Sequence, residues 1–341
     1  MPLPEDSLRV AIAGAASLRG QDLKMWMEES GFPAGEVRLF DEEPLAGTLT
    51  EVAGEAALVQ PVEEDSFEGL RFVFFAGSPA FARKHGAAAA RSGATVIDLT
   101  GELTGTGGAR IWIPRLDGVL GPPQVAASPQ AGGYVFVTPS TPAIVACSFS
   151  GALAPLGAKR VMMNFFSPVA QRGKEGIEEL SEQTVKVLSL QSIPQDVFDC
   201  QVAFNLLDRW GPESRENLAD VRGAIQREVR GYLAGRATIP AIGLIQAPVF
   251  YGHAFGIFVE FEKDVDTGAL ASRLEAAGFQ VATSDDPGPS NVGVAGESKA
   301  MVSAAVADGG VPHGYWFWGA ADNLRLQTSS ATQIAERILV A

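Results

Sequence analysis

The stretch Val135-Phe136-Val137-Thr138-Pro139-Ser140-Thr141-Pro142-Ala143 joins a short apolar segment to a helix that we expect to continue through residues 144–156. Its hydroxyl- and proline-rich turn is typical of a β-strand that ends where a helix begins. The first N–H groups of a helix lack partners within the helix, so this point favours anions and developing oxyanions. Enzymes that form thioesters place a cysteine here, because a helix N-terminus lowers the pKa of a thiol. This chain has Pro142 and Ala143 instead, so its function depends on what the site does without a thiol.

Length, composition and charge limit the function classes. With 341 residues, of which 46% are hydrophobic and 19% charged, the chain is long enough for two globular domains. Its net charge of −14 argues against binding to nucleic acid or anionic membranes, because both depend on Lys and Arg neutralising phosphate. No apolar run approaches the ~20 residues of a membrane span, and the acidic residues 1–6 do not resemble a signal peptide. We therefore predict a cytoplasmic protein that binds neither nucleic acid nor membranes.

Cysteine and histidine usage offers few candidates for chemistry. Cys147 and Cys200 lie among apolar neighbours and are interpreted as small buried hydrophobes, not as a disulfide framework. The histidines are scattered and have no spacing typical of zinc, so no metal site is predicted. His253 follows an apolar strand in a glycine-containing turn over residues 252–255, where it is either a general base or a structural histidine.

The order of apolar segments predicts an α/β fold. Strands at residues 8–13, Glu36–Phe40, Phe72–Phe75 and Thr95–Asp98 alternate with helical patterns, which indicates a parallel sheet with helices on both faces. After residue 137 the pattern changes to α+β with a mixed sheet. We expect strands at 160–166, 242–251, 256–261 and 315–320, and helices at 174–191, 216–233, 266–277 and 322–340.

A glycine turn follows the first strand. The segment Gly14-Ala15-Ala16-Ser17-Leu18-Arg19-Gly20 matches a GxxGxxG dinucleotide loop except at Ser17, whose side chain adds bulk where the backbone approaches phosphate but also brings a hydroxyl. Gly77, after the strand at 72–75, is expected to flank the same cofactor. The alternative is a tight strand–helix turn that binds no ligand.

An acidic cluster, Asp41-Glu42-Glu43, follows the second strand about 20 residues after Gly20. A carboxylate here accepts a hydrogen bond from the 2′-hydroxyl of an adenosine ribose and repels the 2′-phosphate of NADP. We therefore favour NAD over NADP if a dinucleotide binds. The alternative is a solvated acidic turn.

Taken together, several motifs resemble the aspartate-semialdehyde dehydrogenase family along nearly the whole chain. They are the glycine turn, Gly173-Lys174-Glu175-Gly176-Ile177-Glu178-Glu179-Leu180, Ala203-Phe204-Asn205, Pro248-Val249-Phe250-Tyr251-Gly252-His253, Val259-Glu260-Phe261-Glu262 and Ala321-Asp322-Asn323-Leu324-Arg325. The resemblance implies a Rossmann-type NAD(P)-binding domain over residues 1–137, an α+β dimerisation and catalytic domain over 138–318, and a closing helix over 319–341 that returns to the first domain. It also implies reduction of aspartyl phosphate to the semialdehyde, through a cysteine thioester, in amino-acid biosynthesis.

Carried over residue by residue, the resemblance implies an incomplete catalytic site. The cysteine position falls on Ala143, and a shift of one or two residues would bring Pro142 or Thr141 there, none of which is a thiol. Among the catalytic and substrate positions only the base, His253, is retained. The other substrate positions are changed: a glutamine falls on Ser167, a carboxylate-binding arginine on Gln246, a phosphate-binding arginine on Thr104, and a Lys-Gly pair on Leu326-Gln327.

The predicted cofactor-binding residues, among which Asp41 follows from the position of the acidic cluster after the second strand, are Gly14, Ala16, Ser17, Gly20, Asp41, Gly77, Gly173 and Asn323.

These changes favour a non-catalytic binding or regulatory homologue, which forms a homodimer or a heterodimer with a related dehydrogenase. Loss of a thiol nucleophile removes the covalent route, and a neutral side chain cannot replace a bidentate guanidinium contact. One alternative is an active NAD-linked oxidoreductase that acts on a different aldehyde or acyl substrate with His253 as base. Another is a structural interaction partner that binds no ligand.

Overall fold

The computed structural model describes residues 7–43, 45–52, 54–123, 133–283 and 285–340, so the acidic segment 1–6 lies outside the described residues. The strands are β1 Arg9–Ala13, β2 Glu36–Phe40, β3 Leu49–Val52, β4 Glu55–Leu58, β5 Phe72–Phe75, β6 Thr95–Asp98, β7 Arg110–Ile111, β8 Val135–Val137, β9 Ala158–Ser167, β10 Ala241–Gln246, β11 His253–Phe261, β12 Phe279–Val281, β13 Ala300–Val302, β14 Val306–Ala307 and β15 Gly314–Ala321. The α-helices are α1 Leu18–Ser30, α2 Pro79–Arg91, α3 Asp117–Leu120, α4 Thr141–Leu153, α5 Gly173–Leu188, α6 Leu218–Leu233, α7 Thr267–Ala276 and α8 Arg325–Leu339. Within the described ranges, each helix is too short or too polar to cross a membrane.

The chain divides into two compact units. Unit 1 comprises Met1–Pro114, Pro122–Ser140 and Gln327–Ala341, and unit 2 comprises Arg115–Gly121 and Thr141–Leu326. The sequence analysis placed residues 115–121 in the first domain. They belong to unit 2 because the Arg236 guanidinium on α6 donates hydrogen bonds of 2.7 and 2.9 Å to the carbonyls of Leu120 and Gly121.

Unit 1 is built on a parallel six-stranded sheet in the order β2-β1-β5-β6-β8-β7. Successive residues of a strand point to opposite faces, so Val10 and Ile12 join a core with α1 and α8, whereas Ala11 and Ala13 join a core with α2. Burial on both faces explains why the central strands β1 and β5 are almost entirely apolar. The predicted parallel sheet with helices on both faces is confirmed.

Unit 2 contains a mixed seven-stranded sheet in the order β10-β9-β11-β15-β13-β12, with β14 also paired to β15. Three helices, α4, α6 and α7, cover one face. All thirteen residues of α4 are buried, which fits a segment without a charged side chain. The mixed sheet predicted for this half of the chain is confirmed.

The opposite face of this sheet is open in the single chain. Alternation along the strands leaves Met162 on β9 50% exposed, and Trp316 and Trp318 on β15 47% and 44% exposed. Phe166 contacts Trp318, and Phe258 contacts Trp316, so this face carries two aromatic pairs, with the exposed Asn164 between Met162 and Phe166 on β9.

Two local expectations were wrong. The predicted turn at 252–255 is confined to Gly252, which has a φ of +78°. His253 begins β11, because it pairs with Ala321 while Ala254 pairs with Phe166, so strands on both sides extend the ladder to this point. The preceding strand, expected over 242–251, ends at Gln246.

Candidate functional site

The glycine loop of unit 1 is held by close backbone contacts. Gly14 has a φ of +95°, and a Cβ atom on it would lie 2.1 Å from the Gly77 nitrogen. A Cβ on Gly20 would lie 2.2 Å from the Gly14 carbonyl oxygen. The ends of β1 and β5 therefore approach without an intervening side chain, as a dinucleotide loop requires.

Ser17, the departure from the glycine pattern, is the N-cap of α1. Its hydroxyl accepts a 2.9 Å hydrogen bond from the Gly20 N–H and lies 2.8 Å from the Gly14 carbonyl oxygen and 2.9 Å from that of Ala76. Serine is a favourable N-cap residue, which gives this side chain a structural reason. Because the Ser17 hydroxyl points into the loop, it does not stand between the loop backbone and an approaching phosphate.

Asp41 lies beside the loop and is 4% exposed. One carboxylate oxygen accepts the Ala16 N–H at 2.8 Å and the other accepts the Glu42 N–H at 2.9 Å. Burial raises the pKa of Asp41 above its usual value, and the two backbone hydrogen bonds oppose that shift. Asp41 is thus not part of a solvated turn, whereas Glu42 is exposed and accepts a 2.7 Å hydrogen bond from the Ser78 hydroxyl.

The loop fits a dinucleotide. The predicted positions Gly14, Ala16, Ser17, Gly20, Asp41 and Gly77 come together at the carboxyl ends of β1, β2 and β5. The N–H groups of Ala15, Ala16 and Ser17 already have acceptors within the protein. A pyrophosphate would consequently be held by the first turn of α1, where the helix dipole favours negative charge.

In unit 2, the first turn of α4 carries Thr141, Pro142 and Ala143. Ala143 is 0% exposed, and the Thr141 hydroxyl donates a 3.0 Å hydrogen bond to the carbonyl of Asn323. Cys147, one turn later, is also fully buried, and burial raises its pKa well above the usual range of a thiol. A thiol with a raised pKa is a poor nucleophile, because the thiolate is the reactive form.

His253 is 1% exposed and lies at the start of β11. Its Nε2 is 3.2 Å from the Nε2 of Gln171, and its ring meets that of Phe165 edge-on. Burial lowers the pKa of His253 to about 4, with a backbone contact to Phe166 opposing the shift. The imidazole is therefore neutral at pH 7, and a neighbouring amide covers one of its nitrogens.

Asn323 secures the residue before this histidine. Its Oδ1 accepts a 2.8 Å hydrogen bond from the Gly252 N–H, and its side chain is buried. Its Nδ2 has no hydrogen-bond partner among the residues that the structure describes. An oxygen atom of a ligand or of an ordered water would satisfy this buried donor.

Gln246 and Ser167 meet at the ends of the parallel strands β10 and β9. The Gln246 amide donates to the Ser167 carbonyl at 2.9 Å and to the Ala247 carbonyl at 3.0 Å, and its Oε1 accepts the Trp210 indole N–H at 3.2 Å. Gln246 is 1% exposed. The side chain is thus satisfied within the protein.

Of the remaining predicted positions, Gly173 has a φ of +71° where α5 begins, and Thr104 is exposed in a loop of unit 1. Gln171 and Trp210, which contact the predicted residues His253 and Gln246, were missed by sequence reasoning. Gln171 lies two residues before Gly173, just outside the Gly173–Leu180 motif of the sequence analysis. No local pattern marks Trp210, which precedes Gln246 by 36 residues.

Two family models match the chain. The NAD binding domain of semialdehyde dehydrogenase matches residues 9–128, and the semialdehyde dehydrogenase dimerisation domain matches residues 152–326. The chain belongs to the semialdehyde dehydrogenase family.

Relatives match the chain along nearly its whole length. It is 28% identical over 340 residues to a USG-1 protein homolog of Azotobacter vinelandii, covering 98% of each chain. It is 24% identical to aspartate-semialdehyde dehydrogenase 2 of Vibrio cholerae, covering 97% of each. The solved structure of a probable aspartate-semialdehyde dehydrogenase from Pseudomonas aeruginosa superposes with a TM-score of 0.85 at 27% identity, covering 98% of this chain and 99% of that one. The resemblance inferred from the sequence is confirmed for the family and the fold.

Proposed function

We propose that this chain is a non-catalytic, dinucleotide-binding homologue of aspartate-semialdehyde dehydrogenase that acts by binding or regulation. The observation that carries the proposal is the first turn of α4, where the buried Ala143 occupies the position assigned to the nucleophile. Nucleophilic catalysis requires an activated side chain beside a base, and a methyl group supplies neither nucleophile nor proton.

The neighbouring candidates do not replace the thiol. Cys147 is buried with a raised pKa, and the Thr141 hydroxyl is engaged by the Asn323 carbonyl. The retained base, His253, has its Nε2 covered by Gln171. These contacts support a site that binds without performing thioester chemistry.

The position assigned to the carboxylate-binding arginine supports the same view. Gln246 is neutral, and both ends of its amide are engaged by Trp210 and by the carbonyls of Ser167 and Ala247. An arginine at such a site binds a carboxylate through two charge-assisted hydrogen bonds, which a saturated amide does not offer. Weak affinity for aspartate semialdehyde follows.

NAD is the proposed dinucleotide. Asp41 and Glu42 place two carboxyl groups beside the loop, and their charge opposes the 2′-phosphate of NADP. To test this, the protein is titrated calorimetrically with NAD and NADP, alongside Glu42→Arg and, as a matched control, Glu64→Arg at an exposed position of the same unit. We expect wild type to prefer NAD, and Glu42→Arg to bind NADP at least tenfold more tightly while Glu64→Arg changes neither affinity. Tighter binding of NADP by wild type would contradict the preference, and binding of neither dinucleotide would remove the cofactor from the proposal.

The proposed assembly is a cytoplasmic dimer formed through the open face of the unit 2 sheet. Its partner is a second copy of the chain or a related dehydrogenase. Apolar side chains on that face, among them Met162 and Trp318, are half exposed in the single chain, and burial of such a surface stabilises an interface.

The non-catalytic role is tested by phosphate-dependent formation of NADH or NADPH from aspartate semialdehyde. We expect no rate above the uncatalysed reaction, with aspartate-semialdehyde dehydrogenase 2 of Vibrio cholerae, a relative at 24% identity, as the positive control. Turnover of aspartate semialdehyde would contradict the proposal. NAD-linked turnover of another aldehyde that is lost in His253→Ala would replace it with an active oxidoreductase.

A further inference from the structure

The contact between Gln171 and His253 joins an exposed side chain to a buried one. Gln171 lies at the surface, in the turn Val169–Arg172, whereas His253 is 1% exposed. The turn is anchored to the segment just before the histidine, because the Val169 N–H donates to the Val249 carbonyl at 2.9 Å and the Ala170 N–H donates to the Phe250 carbonyl at 3.1 Å. Gln171 is thus held over the imidazole by its backbone.

The contact bears on which ring nitrogen carries the proton. With the Gln171 amide nitrogen, which can only donate, 3.2 Å from Nε2, Nε2 is the acceptor and the proton of the neutral ring lies on Nδ1. The lone pair that a general base needs is therefore occupied by a group of the protein itself. Nδ1 itself has no hydrogen-bond partner among the residues that the structure describes, and the reversed amide would give the opposite tautomer.

The geometry points to Gln171 as a positioning residue that fixes the Nδ1–H tautomer of His253 and occupies the place of a ligand's hydrogen-bond donor. This extends the proposed non-catalytic role, and its test needs neither dinucleotide nor turnover, so the two proposals can fail separately.

The tautomer is measured by long-range ¹H–¹⁵N correlation spectra of the full chain labelled with ¹⁵N-histidine, whose three histidines can be assigned by substitution. We expect wild-type His253 to be neutral with the proton on Nδ1 at pH 7. In Gln171→Glu, which keeps the shape but can only accept at neutral pH, we expect the proton to be on Nε2. An Nε2–H tautomer in wild type, or an Nδ1–H tautomer in Gln171→Glu, would overturn the inference.

A second measurement tests how Gln171 shields the histidine from solvent. The rate at which diethylpyrocarbonate modifies each histidine is followed by mass spectrometry in wild type, in Gln171→Ala and in the control Gln191→Ala, an exposed glutamine after α5. We expect His253 to react at least tenfold faster in Gln171→Ala, while the rates at His85 and His313 stay unchanged and Gln191→Ala behaves as wild type. An unchanged rate at His253 in Gln171→Ala would contradict the inference.

Discussion

The indole N–H of Trp210 donates a 3.2 Å hydrogen bond to Oε1 of Gln246 inside unit 2. The Gln246 amide also donates to the Ser167 and Ala247 carbonyls. The uncharged side chain of Gln246 therefore has all its contacts within the protein. At the position where the family resemblance implies a carboxylate-binding arginine, the chain has a buried network of uncharged hydrogen-bonding groups. Buried polar networks of this kind are costly to disturb, because a group left without its partner stays desolvated.

Gln246→Glu should destabilise the protein by about 3 kcal/mol at neutral pH, because a buried carboxylate would face two carbonyl oxygens. The loss of stability relative to wild type should become smaller as the pH falls, since a protonated carboxyl group can donate a hydrogen bond to one of these carbonyls. Urea unfolding at pH 7.5 and pH 5 measures both effects. Gln195→Glu, at an exposed position, is the control and should change stability by less than about 0.5 kcal/mol. Equal stability of the two variants would contradict the closed network.

Gly14→Ala should destabilise unit 1 by about 3 kcal/mol or more and abolish dinucleotide binding. The new Cβ would lie 2.1 Å from the Gly77 nitrogen on a backbone with a φ of +95°, and neither partner is a movable side chain. Chemical unfolding measures the change. Gly107→Ala is the matched control, because no atom lies within 4 Å of its Cβ position, and it should stay within about 1 kcal/mol of wild type. A Gly14→Ala protein as stable as Gly107→Ala would show that the loop relaxes freely.

His253 should make stability depend on pH. Its folded pKa of about 4 lies below its unfolded value of 6.5, so the unfolded chain binds the proton more readily between these values. The stabilisation that comes from keeping His253 neutral is complete above pH 6.5 and is lost as the pH falls towards 4. The resulting decrease in the free energy of unfolding is about 2–3 kcal/mol between pH 7.5 and pH 4.5. His253→Gln should lack this part of the pH dependence.

The measurement compares the loss of stability between the two pH values in wild type, in His253→Gln and in the control His313→Gln. His313 forms an exposed pair with Asp264 at 2.7 Å, so its replacement should leave most of the wild-type loss in place. The same loss in His253→Gln as in wild type would show that the imidazole is solvated in the folded protein.

Met162→Glu should weaken the proposed dimer. Met162 lies opposite Phe258 on the open sheet face, and a carboxylate there would have to be desolvated when a second copy covers it. Light scattering coupled to gel filtration should show dissociation at concentrations at least tenfold higher than for wild type. Leu49→Glu, at a 76% exposed position of unit 1, should assemble normally. Intact dimers of Met162→Glu would place the interface elsewhere.

The fold was largely predictable because its cores follow simple sequence periods. The apolar run Phe72–Phe75 predicted a central parallel strand, since both faces of that sheet are buried. The hairpin of β3 and β4 was missed, because its leucines, Leu49 and Leu58, are exposed and its inward residues, Val52 and Ala57, are only partly buried. The predicted start of strand β11, residue 256, lies too late in the chain. Its first residues, from His253, are extended because they pair with β9 and β15, which are distant in sequence.

Sequence spacing predicted which residues gather at the glycine loop, but not which partners their side chains contact. Glycine, serine and aspartate of the loop were recognised from spacing, yet the hydrogen bond from Ser17 to the Ala76 carbonyl joins residues 59 positions apart. The contact of Gln171 with His253 spans 82 positions. Such distances leave no local pattern, so whether a polar side chain faces a ligand or another part of the protein emerges only from tertiary structure.

The close approach of Gly14, Gly20 and Gly77 has an evolutionary consequence. A side chain at Gly14 or Gly20 would collide with backbone whether or not a cofactor is present, so natural selection for folding alone is enough to retain these glycines. Side chains at the start of α4 and at the end of β10 can therefore change one at a time during evolution, while the glycine loop is kept by the needs of folding.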